Sequence, residues 1–106
     1  MIKEFNTNVI SRSRGCNALC ITIKSTSSIS NCVTLKIYDC SNGYRNTVFS
    51  KTIYLSPCSS KTILFPLVSR NYDDYTNISR YAVAYFTESS HIQVSCKQVY
   101  NSGIND

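Results

Sequence analysis

Six cysteines, Cys16, Cys20, Cys32, Cys40, Cys58 and Cys96, carry most of the chemistry this 106-residue chain has to offer. An even number of thiols in so short a chain reads first as a disulfide framework, which forms and persists in an oxidising compartment. Bridges of about 2–4 kcal/mol each would matter here, since a chain of this size buries only roughly two-thirds of its unfolded surface. Spacing alone leaves the pairing open. Metal binding is the weaker use of the thiols. No Cys-x-x-Cys pair occurs and His91 is the sole histidine, so no metal site is expected.

The remaining polar residues point away from catalysis. His91 has no second histidine or well-placed carboxylate to make it a base for a nucleophile. Glu4 and Glu88 are far apart in sequence, and Asp73-Asp74 are adjacent rather than alternating, unlike the oxygen ligands of a calcium loop. Asx-turns in a polar loop are the plainer reading of that pair. Three isolated glycines cannot build a phosphate cradle. Asn77-Ile78-Ser79 matches an N-glycosylation acceptor, relevant only in a source that glycosylates. No enzymatic activity, catalytic residue or cofactor is expected.

Composition describes the elements that must position the thiols. Alanine is scarce, and Ser, Thr, Asn, Ile, Val and Tyr dominate, which favours strands and turns over helix. Eight tyrosines and no tryptophan fit a surface that makes contacts through rings with a polar tip. The net charge of +5 is dispersed, with Arg12 and Arg14 the nearest thing to a cluster. That argues for a solvated surface and against a nucleic-acid groove. The longest apolar run, Ile63 to Val68, contains a proline and falls far short of the ~20 residues of a membrane-spanning helix. Met1-Ile2-Lys3-Glu4-Phe5 leads into Asn6-Thr7-Asn8 without the apolar core of an export signal.

Period-two alternation with a turn signal every ten residues or so predicts an all-β fold. Leu19, Ile21 and Ile23 form one apolar row; Val33, Leu35 and Ile37 form a second. Asn42-Gly43 predicts a tight hairpin turn, and Tyr44 to Leu55 reads as extended, with a bulge or break near Ser50. After the turn Ser56–Ser60, Ile63, Phe65 and Leu67 make another inward row, with Pro66 marking an edge or strand end. Ser69 to Ser79 reads as the longest loop, Tyr81 to Phe86 as a central strand covered on both faces, and Ile92, Val94 and Cys96 as the last inward row. The expected architecture is a seven- to eight-stranded antiparallel β-sandwich of jelly-roll or Greek-key type. Residues 1–15 form a short extended arm: Phe5 to Ile10 has strand propensity and precedes the polar joint Ser11-Arg12-Ser13-Arg14-Gly15. Residues 16–106 make the single domain.

Strand phase then sorts the thiols, since a one-residue step changes the face. Cys20 falls with Thr22 and Lys24, and Cys32 and Cys40 with Thr34, Lys36 and Tyr38, all opposite the apolar rows. Cys58 lies in a turn, Cys16 at the base of the arm, and Cys96 alone shares an apolar face. Intramolecular bridges at strand ends and loops compete with bonds between subunits, for which Cys16 is the first candidate. Phe5, Val9 and Ile10 are the arm residues expected at such an interface, because a short β-capable arm can add to a neighbour's sheet edge.

A leaderless chain, a jelly-roll-like sandwich and a cysteine at the root of a short arm together resemble the subunits of bacterial endospore appendages. Those are leaderless β-sandwich proteins made in the mother cell, stacked into fibres through an N-terminal connector and inter-subunit disulfides. Their connectors often carry paired cysteines near the N-terminus, whereas the first two here are Cys16 and Cys20, separated by Asn17-Ala18-Leu19. The resemblance implies a structural subunit that self-assembles with copies of itself at the spore or cell surface, or outside the cell, after release by lysis. Tyr38, Tyr44 and Tyr72 are rings expected to line contacts. The alternative is a secreted, disulfide-stabilised binding module (an effector, toxin or adhesin domain) that meets a host or surface ligand through the loop Ser69–Ser79.

Overall fold

The computed structural model describes residues 3–6, 10–11, 15–40, 43–67 and 80–103, and every regular element among them is a β-strand. Two short segments come first, β1 (Lys3–Asn6) and β2 (Ile10–Ser11). Six longer strands follow: β3 (Ala18–Ser25), β4 (Asn31–Asp39), β5 (Asn46–Leu55), β6 (Ser60–Pro66), β7 (Arg80–Thr87) and β8 (Ile92–Val99). They form two three-stranded layers, β6-β3-β8 and β7-β4-β5, paired antiparallel throughout. β1 and β2 add to the outer side of β7. The all-β class holds, with six principal strands carrying the layers.

The alternating rows decide which faces meet. Leu19, Ile21 and Ile23 of β3 and Val33, Leu35 and Ile37 of β4 are all fully buried, while their polar alternates stay partly or wholly exposed. Burying each such side chain contributes about 1.5–3 kcal/mol, so these two strands hold the layers together. Ile53 and Leu55 of β5, Val83 of β7 and Ile92 of β8 complete the shared core. Phe65 of β6 crosses between layers, meeting Phe49 edge-on at 6.0 Å and Tyr81 edge-on at 5.9 Å between ring centres. Such T-shaped contacts set the positive edge of one ring against the negative face of the other. Tyr81, Ala82, Val83 and Ala84 are all buried, as expected of a strand covered on both faces.

Two local expectations shift. β4 and β5 do form a hairpin, but Asp39 pairs with Asn46, so six residues connect them instead of a two-residue turn. Gly43 sits at φ +85° and donates its N–H to the Cys40 carbonyl at 3.1 Å; that backbone angle is one a side chain rarely tolerates. The β5 irregularity lies at Val48, not Ser50. Ile37 faces Phe49 and Tyr38 faces Thr47, leaving Val48 as the extra residue and restoring Phe49 and Ile53 to one row. Pro66 closes β6, an outermost strand, where its missing N–H disturbs no ladder.

One end of the sandwich is tied by Asn17, whose buried amide donates to the Asn101 carbonyl at 2.9 Å and accepts from the Asn101 N–H at 2.7 Å. Its backbone N–H donates to Val99 and its carbonyl accepts from Leu67, so one residue joins the ends of β3, β6 and β8. At the opposite end Ser25 donates to Ser59, Thr26 to His91 and Cys58 to Ser27 through backbone N–H groups at 2.8–3.1 Å. No buried side-chain nitrogen or oxygen among the described residues lacks a partner.

Candidate interaction surfaces

The six thiols are spread over both layers and both ends, and none is disulfide-bonded. Cys16 is half-buried beside the Asn17 clamp, at the end from which the arm departs. Cys20 lies between Leu64 and Lys97 in register, on the outer face of its layer. Cys32 is exposed on the outer face of the other layer, opposite Tyr54, and its carbonyl accepts from the Thr87 hydroxyl. Cys40 is half-buried just past β4, with its backbone N–H on the Arg80 carbonyl. Cys58 is exposed in the β5–β6 turn at φ +54°, its Sγ 3.6 Å from the Ser27 carbonyl. Cys96 faces inward beside Ile21 and packs on the core. By topology Cys16 and Cys40 share one end of the sandwich, and Cys32 and Cys58 the other.

Burial pushes the Cys96 thiol up, with a smaller contribution from Cys20 nearby. A raised value in the folded chain stabilises the neutral thiol, an advantage present below the ordinary thiol pKa and lost as pH rises through the higher folded value. Thiolate is the reactive form. In the reduced protein, iodoacetamide at neutral pH should therefore label exposed Cys32 and Cys58 first and Cys96 last. The lag of Cys96 should narrow as the pH is raised. Site-resolved mass spectrometry checks the order, and early labelling of Cys96 would contradict its inward placement.

Of the arm residues, Phe5 pairs with Tyr85 and Ile10 with Tyr81 in backbone register; Val9 lies outside the described residues. The arm thus completes one layer of its own chain. Tyr38 carries Arg45 over its ring at 5.4 Å, and Tyr44 is exposed. Tyr72, Asp73-Asp74, the Asn77 acceptor and the whole expected loop Ser69–Ser79 lie outside the described residues. His91 is exposed, with its carbonyl taking the Thr26 N–H and hydroxyl and its own N–H on the Ser89 hydroxyl. Among the described residues no cluster of His, Cys, Asp or Glu could hold a metal ion, and no helix is long and apolar enough to cross a membrane.

The open strand edges distinguish the two sides of the sandwich. β5 and β6 end their layers on one side; β8 ends its layer on the other, where β1 and β2 extend β7. A groove of about 380 Å³ runs between β5 and β6, lined by Lys51, Thr52, Ile53, Tyr54, Lys61, Thr62 and Ile63. Lys51 faces Leu35 and Lys61 faces Ile23 in register, so each lysine stands in an inward row with core residues, yet both are exposed. Sequence reasoning passed over this pair. The signal was present, for Lys51 shares phase with Ile53 and Leu55, and Lys61 with Ile63 and Phe65.

No family model matches the chain, and no curated protein matches it.

Proposed function

We propose that the chain is a structural subunit that self-assembles into an extracellular or spore-surface filament, the role implied by the resemblance to endospore-appendage subunits. Residues 1–15 and the strand edges make the contacts, and disulfides between subunits reinforce them. One observation carries this reading. On one side of the sandwich, β7 gains β1 and β2 as added strands, while β8 on the same side is, among the described strands, the last of its layer. An arm that pairs with its own β7 can pair in the same register with the β7 of another copy. Passed from copy to copy without closing, such an exchange produces a fibre.

We read the winding as jelly-roll-like, with the arm segments β1 and β2 counted as a seventh and an eighth strand. The β4–β5 hairpin is nested inside the β3–β6 pair, while β7 lies against β4 and β8 against β3. Cys16 at one end of the sandwich and the exposed Cys32 and Cys58 at the other support a reading in which copies stacked end to end are joined by disulfides. A second reading, a disulfide-stabilised binding module, is favoured by the lysine-lined groove on the opposite side.

A denaturing gel run with and without reductant separates the two. The filament reading expects ladders of covalent multimers that collapse to one band on reduction, with Cys16→Ser shortening them. A single monomer band under both conditions, from protein aged in air, would overturn the cross-linked assembly.

A further inference from the structure

The groove between β5 and β6 pairs an apolar floor with positive charge. Ile53 and Ile63 come from the inward rows of the two strands, and Lys51 and Lys61 stand next to them in the same rows. β5 and β6 are consecutive and run in opposite directions. Lys61 therefore lies near the connecting turn, one residue after β6 begins, and Lys51 lies further from it, four residues before β5 ends. The two ammonium groups flank the isoleucines along the groove. Among the described residues no acidic side chain lines it, and Thr52, Thr62 and the 70 % exposed Tyr54 supply neutral polar groups around it.

We infer that this groove binds an extended peptide segment of an acidic partner protein, with carboxylates and an apolar side chain alternating along one face. A strand presents every second residue to the same side, so an acidic-x-apolar-x-acidic pattern sets one side chain on the isoleucines and two carboxylates towards the lysines. The outer backbone edges of β5 and β6 offer ladder hydrogen bonds to such a strand, because among the described strands each is the last of its layer. Charge also chooses against a second copy of this chain at the groove. Two β5–β6 edges brought together oppose four lysines, which is the arrangement proteins use to prevent edge-to-edge pairing. The site stands apart from the filament reading, whose contacts use the arm and the β8 side.

The test follows backbone amide shifts of the reduced full chain as a blocked heptapeptide, Thr-Glu-Thr-Val-Thr-Glu-Thr, is added. The same titration uses a control with lysine in place of both glutamates. The expected result is saturable shifts confined to β5 and β6 with the acidic peptide and none with the control. The double variant K51E/K61E should weaken the acidic peptide at least tenfold and bind the lysine peptide instead. Lys51→Gln with Lys61→Gln provides a milder pair, expected to weaken binding without reversing the preference. Saturable shifts elsewhere, absence of saturation, equal binding of both peptides, or displacement by simple acetate at equal concentration would overturn the inference. So would β5–β6 shifts that depend on protein concentration alone, which would assign the groove to a second copy.

Discussion

Deleting residues 1–15 should abolish the proposed polymer formation and leave a folded, soluble monomer. The deletion takes away β1 and β2, which pair with β7 from Lys3 opposite Thr87 to Asn6 opposite Ala84, and at Ile10 and Ser11. It spares all six principal strands, both fully buried rows of β3 and β4, and the Asn17 clamp that joins β3, β6 and β8. The lost ladder bonds are worth about 0.5–1.5 kcal/mol each, so stability falls by several kcal/mol while the two-layer core is kept. On the proposed assembly the effect on polymers should be complete, because each copy would lack the strand it passes to its neighbour. Sedimentation of the deleted chain beside the full chain reads both outcomes. A deleted chain that still forms fibres would remove the arm from the contact.

Ile21→Ala lowers stability more than any change on the outer faces. Ile21 is fully buried at the centre of β3, between Ile63 of β6 and Cys96 of β8. Truncation loses the transfer energy of the removed carbons and leaves a cavity that close-packed neighbours fill only in part, a total of roughly 2–5 kcal/mol. Domains of this size have about 5–15 kcal/mol in all, so the variant stands near the threshold of folding. Thermal unfolding under reductant should show the midpoint lower by roughly 8–40 °C, at about 4–8 °C per kcal/mol. Three residues on, exposed Lys24→Ala should stay within about 0.5 kcal/mol of the parent. Equal losses at both positions would contradict the inward row.

The layers were legible because a strand's side chains alternate strictly. Leu19-Ile21-Ile23 and Val33-Leu35-Ile37 needed nothing more than that period to be placed on the core, and Cys96 to be set apart from the other thiols. Pairing between strands was less legible. That β3 lies between β6 and β8 rests on contacts across up to 81 residues of sequence, from Ala18 to Val99, which no local pattern encodes. The arm's strand character showed in Phe5 to Ile10, but its partner β7 did not. Lys51 and Lys61 were missed for a different reason. A charge in an inward phase conflicts with the period, and only the topology reveals that β5 and β6 are outermost strands where such a side chain can leave the core. The hairpin signal at Asn42-Gly43 found the turn but not its length, since Gly43 serves a six-residue connection as well as a two-residue one.

If the lysine groove repels a second copy, self-association is directed to the β8 and arm side. The proposed assembly would then have a direction: one side of each sandwich would exchange strands, and the β5–β6 side would remain for an acidic partner.

Negative-stain electron microscopy of the purified full chain, concentrated and kept without reductant, tests the central claim most directly. Unbranched filaments of constant width, absent from the chain lacking residues 1–15, are the predicted result. A field of single particles of one-copy size at every concentration would contradict it.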